Sequence, residues 1–238
     1  MSEKIRFTID GQEVIGLPGE SILQVAQRLG MEIPHLCFSP TPGYRADGNC
    51  RVYMVEIEGE RVLASSCNRI PKTGMVVGVE SARARSARSI VMELLLSDQP
   101  AREQTQDPDS ELWQWAERAG PLESRFPKRS GPPADASHPA MLVNLDACIH
   151  CTRCIRACRE VQVNDVIGVA GRGAGNSIVF DMDDGLGESS WVACGECVQA
   201  CPTGALLAVS TVSKPERRSV DSLCPYCGVG CQATYQMD

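Results

Sequence analysis

Aromatic residues are scarce in this sequence, with four Phe, four Tyr and three Trp among 238 residues. Long apolar runs are missing as well. The opening MSEKIRFTID has no hydrophobic core of the kind a secretory signal needs. The stretch Ile90 to Leu96 is interrupted by Glu93 and is far too short to span a bilayer. We therefore expect a cytoplasmic chain without membrane insertion. Concentrated positive charge is absent too: the formal net charge is -7, whereas phosphate binding needs clustered Lys and Arg. Nucleic acid is excluded as a partner on that ground. The two basic runs, RARSAR from Arg83 to Arg88 and KPERR from Lys214 to Arg218, are expected to be a solvated helix face and a linker.

What the sequence has in excess is cysteine, 13 residues, together with 21 glycines. In a reducing compartment thiols stay free, so clustered cysteines read as metal ligands rather than disulfides. The hydrophobic fraction of 43% is ordinary and sufficient for a buried core. The length suggests one or two domains at about 150 residues each.

The first segment, IRFTIDGQEVIG, alternates apolar and polar residues about Asp10-Gly11, a dipeptide favoured in tight hairpins. Ser21 and Gln24 then form a capping box for a helix whose stripe is Ile22, Val25, Ala26 and Leu29, with Gly30 at its end. A Pro-rich loop from Pro34 to Gly48, a hairpin from Arg51 to Ala64 turning at Glu58-Gly59-Glu60, and a strand near Met75 to Val79 complete a β-grasp-like order. Helices follow at about Ser81 to Leu96 and Ser110 to Ala119. Gly131-Pro132-Pro133 and Ser137-His138-Pro139 mark a boundary, and Ser210 to Asp221 reads as a second linker. The expected class is α+β: a β-grasp ferredoxin-like domain over 1–80, a helical linker over 81–139, a two-cluster ferredoxin-like domain over 140–210, and a further domain opening over 211–238.

Cys148, Cys151, Cys154 and Cys158 follow C-x2-C-x2-C-x3-C, and the run is repeated. CIHCTRCIRAC at Cys148 to Cys158 aligns with WVACGECVQAC at Trp191 to Cys201, matching at every cysteine but the first. In two-cluster ferredoxins the fourth cysteine of such a run crosses to the other [4Fe–4S] cube. By that rule Cys148, Cys151, Cys154 and Cys201 form one set, and Cys158, Cys194 and Cys197 form the other, with Trp191 in the vacant position. Zinc is the alternative, because C-x2-C pairs also make tetrahedral zinc sites. The repetition and the closing Cys201-Pro202 are the iron–sulfur pattern. Trp191 cannot coordinate, since its indole nitrogen only donates. The second set then holds a [3Fe–4S] cluster, a four-iron cluster with water or an oxygen ligand, or none. Asp181, Asp183 and Asp184 lie near in sequence and are expected in a solvated turn. His150 is read as a hydrogen-bond donor beside the ligands or as a surface residue.

Cys37, Cys50 and Cys67, in PHLCFSP, DGNCRVY and ASSCN, suit a plant-type [2Fe–2S] site whose fourth position falls on Tyr53. A phenol, with a pKa near ~10 and a longer reach, is a poor substitute for a thiolate of pKa ~8.5. The alternative is a β-grasp domain kept for packing, with three buried free thiols. Finally Cys224, Cys227 and Cys231 read C-x2-C-x3-C in SLCPYCGVGC, with a fourth ligand expected beyond Asp238.

Taken in order, PHLC, GNCR, SSC, VNLDACIHCTRCIRACREVQVNDVIG, WVACGECVQACPTGAL and SLCPYCGVGC resemble the N-terminal part of the alpha subunit of cytoplasmic NAD-dependent, molybdenum- or tungsten-containing formate dehydrogenases. That part is similar to the G subunit of NADH:quinone oxidoreductase. The resemblance implies an oxidoreductase segment carrying electrons from formate, oxidised at a bis-pterin centre in a downstream molybdopterin domain. It implies an FMN- and NAD-binding beta subunit as partner, with a gamma subunit as a further one, and no catalytic residue in this chain. Tyr53 and Trp191 depart from the family pattern, and Ser97 to Ala119 lacks the histidine and cysteines that hold an additional cluster in many relatives. Two rival readings stand beside it: a diaphorase small subunit of a hydrogenase or complex-I-like enzyme, and a docking scaffold whose clusters are lost.

Overall fold

The structure, a computed structural model, describes residues 4–120, 122–129, 131–209, 218–225 and 229–237. Strands β1 (Ile5–Ile9) and β2 (Gln12–Gly16) pair antiparallel about Asp10 and Gly11, both at positive φ. Two consecutive left-handed residues are what a tight hairpin requires, and Asp and Gly tolerate them best. The Asp10 carboxylate also accepts the backbone N–H of Val79 at 2.8 Å and of Glu80 at 3.1 Å, pinning the far end of the sheet to this turn. Helix α1 (Ile22–Arg28) opens with a complete capping box: Ser21 Oγ accepts from Gln24 N–H, and the Gln24 side chain accepts from Ser21 N–H.

Strands β3 (Met54–Ile57), β4 (Ala64–Ser65) and β5 (Val76–Gly78) complete a five-stranded sheet of order β2-β1-β5-β3-β4, in which β1 and β5 run parallel and the other pairs antiparallel. Ile22, Leu23, Val25 and Ala26 of α1 are buried in the same core as Phe7, Ile9, Val55 and Val77 of the sheet. This is the expected β-grasp arrangement, with β4 reduced to two residues.

Helix α2 (Ala82–Ser97) starts at Ser81, whose hydroxyl accepts from Ala84 N–H. Its basic run is not wholly a solvated face. Arg88 is 6% exposed and donates to the carbonyls of Val79 and Met54 and to the Glu80 carboxylate. Those two carbonyls face the helix, so a long cationic side chain satisfies them where an apolar one would not. Helix α3 (Glu111–Ala119) packs beside α2 and buries Leu112, Trp113 and Ala116.

The cysteine-rich half is built on β6 (Asp135–His138), β7 (Met141–Val143) and β10 (Leu206–Ala208), joined in the order β10-β7-β6. Strand β6 lies in the Gly/Pro-rich stretch read as a boundary. It is held because the Asp135 carboxylate accepts Leu186 N–H at 2.7 Å and Ser137 Oγ accepts Gly187 N–H at 2.8 Å. Helix α4 (Arg153–Arg156) runs into a π-helical turn at Ala157–Val161; a hairpin of β8 (Ile167–Ala170) and β9 (Ser177–Phe180) follows, then α5 (Glu196–Ala200). The second expected linker also contains structure: β11 (Arg218–Leu223) pairs antiparallel with β12 (Gln232–Met237), so Arg218 to Asp221 is strand, whereas residues 210–217, and the KPER part of the basic run with them, lie outside the described residues. No helix among the described residues is long and apolar enough to cross a membrane.

Candidate metal centres

Two loops of matching backbone shape carry the repeated cysteines. His150 and Thr152 have left-handed φ of 52° and 61°, and the aligned Ala193 and Gly195 have 55° and 79°. Left-handed residues placed at alternate positions turn successive amides toward a common point, which makes a nest for an anionic group. The amides do reach sulfur. His150 N–H donates to Cys148 Sγ at 3.4 Å and Val166 N–H to Cys158 Sγ at 3.3 Å.

Cys148, Cys151, Cys154 and Cys201 line one cavity, walled by Ile149, Ile178 and Leu206. Burial, ahead of repulsion from Cys201, pushes the Cys148 thiol up to about 11. Burial also raises Cys151 and Cys154, with repulsion from neighbouring thiols adding to it. Three desolvated thiols that resist ionisation alone, those of Cys148, Cys151 and Cys154, converge with Cys201 on one apolar space; this donor set fits a [4Fe–4S] cluster, whose iron charge supplies the missing compensation.

The second set is Cys158, Cys194 and Cys197. Cys158 and Cys197 are buried and Cys194 is exposed. Trp191 stands where a fourth ligand would be, and its side chain hydrogen-bonds Cys197, opposing the larger effect of burial that pushes this thiol up to about 12. The indole stacks edge-on against His138 at 4.8 Å between ring centroids. The donor set therefore fits a cluster held by three thiolates, with the indole N–H directed at one of them. Asp181 accepts from Ser190 Oγ at 2.9 Å in an exposed turn, as expected of it. His150 is half-buried, its ring nitrogen 3.5 Å from the Asn176 amide nitrogen, and its contribution to the site is the backbone donor already described.

In the N-terminal half Cys37, Cys50 and Cys67 come together around Tyr53, and all four are buried. The Cys50 thiol hydrogen-bonds Cys37 and is the main reason that Cys37 falls to about 5, while burial, ahead of the contact with Cys37, raises Cys50. The Tyr53 hydroxyl lies 3.8 Å from Cys37 Sγ and also hydrogen-bonds Cys67. Burial, then the charges of Cys50, Cys37 and Cys67, raises its phenol, which stays an O–H donor. Three thiols around a neutral phenol are not the four-thiolate donor set of a [2Fe–2S] cluster.

At the third expected site Cys224 N–H donates to the Cys231 carbonyl at 2.9 Å across the β11–β12 hairpin. Cys227 lies outside the described residues.

Two arginines inside the first cysteine run carry a role that the sequence did not reveal. Arg156, 1% exposed, donates to the carbonyls of Cys37, Arg45 and Cys151 and pairs with Asp47 at 3.0 Å. Arg153 binds both oxygens of Glu111 and the carbonyl of Leu36. The available signal is their placement between ligand cysteines, where a guanidinium fork is well matched to backbone carbonyls and a carboxylate.

Residues 2–82 match the family described as a 2Fe-2S iron–sulfur cluster binding domain, and residues 139–207 match the ferredoxin-like domain of NADH-quinone oxidoreductase subunit 3. Two ferredoxin-type domains thus share one chain. The tandem is 35% identical to the G 2 subunit of NADH-quinone oxidoreductase from Rhizobium meliloti, over 97% of its own length and 27% of the relative's. It is 35% identical to the NADP-reducing hydrogenase subunit HndD of Solidesulfovibrio fructosivorans, over 85% of this chain and 36% of that one. It therefore spans only about a third or less of these curated relatives. A solved chain of an NAD+-reducing [NiFe]-hydrogenase in its H2-reduced state superposes with a TM-score of 0.81 at 27% identity, covering 89% of this chain and 90% of that one.

Proposed function

We infer that the chain is the electron-carrying segment of a multi-subunit, nicotinamide-linked oxidoreductase. The observation that carries this reading is the crossed pair of cysteine sets: Cys154 of the first lies within electrostatic reach of Cys197 of the second. Two adjacent sets let one electron enter at one and leave at the other. Clusters bound there would supply one-electron chemistry. The chain's own residues hold the thiolates, aim amides at them and keep water from Cys151, Cys158 and Cys197. Arg153 stands within the field of Cys151 and Cys201, where its charge favours the more negative, reduced state of the first set.

For the terminal chemistry, formate oxidation at a bis-pterin molybdenum or tungsten centre, with an FMN- and NAD-binding partner, is one reading. It is supported by the resemblance of SLCPYCGVGC to the family's motif, two of whose cysteines, Cys224 and Cys231, are brought together across the β11–β12 hairpin. The diaphorase reading is supported by the hydrogenase chain matched over 90% of its length. The decisive experiment is isolation of the native complex under anaerobic conditions, with iron and labile sulfide per chain and NAD reduction assayed separately with formate and with H2. Formate-dependent reduction supports the first, H2-dependent reduction the second. A chain with little iron or sulfide overturns electron transfer and leaves the docking scaffold.

A further inference from the structure

We propose that the N-terminal ferredoxin-type domain of this chain binds no cluster: Tyr53 fills the space among Cys37, Cys50 and Cys67, and the domain serves as a clamp on the cysteine-rich half. The two halves differ in what lies between their thiols. In the first C-terminal set a cavity opens among the four sulfurs. In the N-terminal half a hydroxyl lies there, in hydrogen-bond contact with Cys37 and Cys67, on a side chain that is 0% exposed. The backbone closes over it. Gly48 has φ +73, and a Cβ added there would stand 3.4 Å from that hydroxyl and 2.7 Å from Asn68 Nδ2, so the loop that would cradle inorganic sulfide is packed on the phenol instead.

The clamp function follows from what the same loop does on its other side. The carbonyls of Leu36, Cys37 and Arg45 receive Arg153 and Arg156, and Asn49 Nδ2 donates to Thr152 Oγ1 at 2.9 Å. Thr152 in turn donates to Asp47 at 2.8 Å. Every one of these contacts reaches Thr152 or α4, the segment that carries the ligand Cys154. A loop that shaped itself around a cluster would be free to change with its redox state. One fixed on a phenol holds the neighbouring set in a constant setting.

The test uses the full chain, purified anaerobically and reconstituted with iron and sulfide, as wild type and as Tyr53→Cys, Tyr53→Phe and Cys37→Ser. Iron and sulfide are counted, and spectra are taken before and after dithionite. The expected result is that wild type, Tyr53→Phe and Cys37→Ser contain the same iron, whereas Tyr53→Cys gains about two irons per chain and a [2Fe–2S] signal. A [2Fe–2S] signal in the wild type that disappears in Cys37→Ser overturns the proposal. So does a phenolate-to-iron absorption band that Tyr53→Phe removes. If Tyr53→Cys folds and gains no iron, Tyr53 is not what excludes the cluster and the proposal also fails. These readouts concern the N-terminal thiols alone, so they stand whether or not the C-terminal sets carry electrons.

Discussion

The guanidinium of Arg156 donates to the carbonyl of Cys37 at 2.6 Å, joining residues 119 positions apart in the chain. The donor sits within the first cysteine repeat and the acceptor within the N-terminal cysteine loop. With Arg156 removed, the carbonyls of Cys37 and Arg45 lose this donor, those of Cys151 and Thr152 lose a second one, and Asp47 keeps only Arg45 and Thr152. Arg156→Met is expected to destabilise the protein by roughly 3–5 kcal/mol, the usual cost of breaking a buried charged pair. Arg156→Lys should recover little, because an ammonium cannot serve several carbonyls in one plane. Urea unfolding of the iron-loaded chain measures both; a loss under about 1 kcal/mol would show that the contact is incidental.

The crossed assignment makes Cys201 a partner of Cys148, not of Cys194. Cys201→Ala should therefore give the same spectral loss as Cys151→Ala, and Cys158→Ala the same loss as Cys197→Ala. Electron paramagnetic resonance of the reduced variants decides this. If Cys201→Ala instead resembled Cys197→Ala, each repeat would hold its own cluster.

Trp191→Cys completes the second set. It should add about one iron per chain and replace any three-iron signal of the oxidised protein by a reducible four-iron signal. Trp191→Phe keeps an aromatic ring beside His138 and removes the indole N–H. Hydrogen bonds to cluster sulfurs stabilise the reduced state, so this variant should shift the second set to lower potential without changing its iron content. A redox titration that found no shift would mean that the indole contact with Cys197 is not maintained in the loaded protein.

Iron removal should affect the two halves unequally. Chelation under reducing conditions is expected to lower protection of backbone amides most around Cys194 to Cys201 and less at Thr152 to Arg156, which the N-terminal loop still holds, since the folding of small metal sites is coupled to their metal. Amides of β1, β2 and α1 should remain protected, because no cluster supports them. Hydrogen exchange with and without iron reads this directly, and equal loss in both halves would tie the N-terminal fold to metal after all.

Arg88 offers a smaller check on packing. Arg88→Met should cost roughly 2–3 kcal/mol by orphaning the carbonyls of Val79 and Met54. Thermal unfolding of the variant measures it, and no change would mean that water replaces the guanidinium.

That residue also shows where reading the sequence runs out. Asp10-Gly11, the Ser21–Gln24 capping box and Ile22, Val25 and Ala26 of α1 were legible because each is decided within a few residues, whereas Leu29, expected in the same stripe, caps the helix 42% exposed and Leu23 is buried instead. The convergence of Cys201 with Cys148, Cys151 and Cys154 on one cavity was legible because the chain repeats itself, so that Cys201 could be matched to Cys158 by alignment alone. Arg88, Arg153 and Arg156 were not, since an arginine is buried only when distant carbonyls converge on it, and those of Cys37 and Leu36 lie more than 100 positions from their donors. Strand β6 was hidden in a stretch rich in Gly and Pro because its anchor, Leu186 N–H, comes from the other end of the domain.

The left-handed residues of the two cysteine loops set the order in which this protein can mature. His150, Thr152 and Ala193 hold a conformation that costs a residue with a side chain on the order of 1–3 kcal/mol, so each loop needs a brace, from a bound cluster or from the N-terminal loop. Before iron arrives, the first loop is still braced by Asp47 and Asn49 through Thr152. The second, around Ala193, is met from the N-terminal half by one hydroxyl among the described residues, that of Tyr44 donating to Glu196 at 2.8 Å. Iron delivered to a newly made chain should therefore occupy the Cys148 set first, with the Trp191 side filling last and emptying first under oxidative attack.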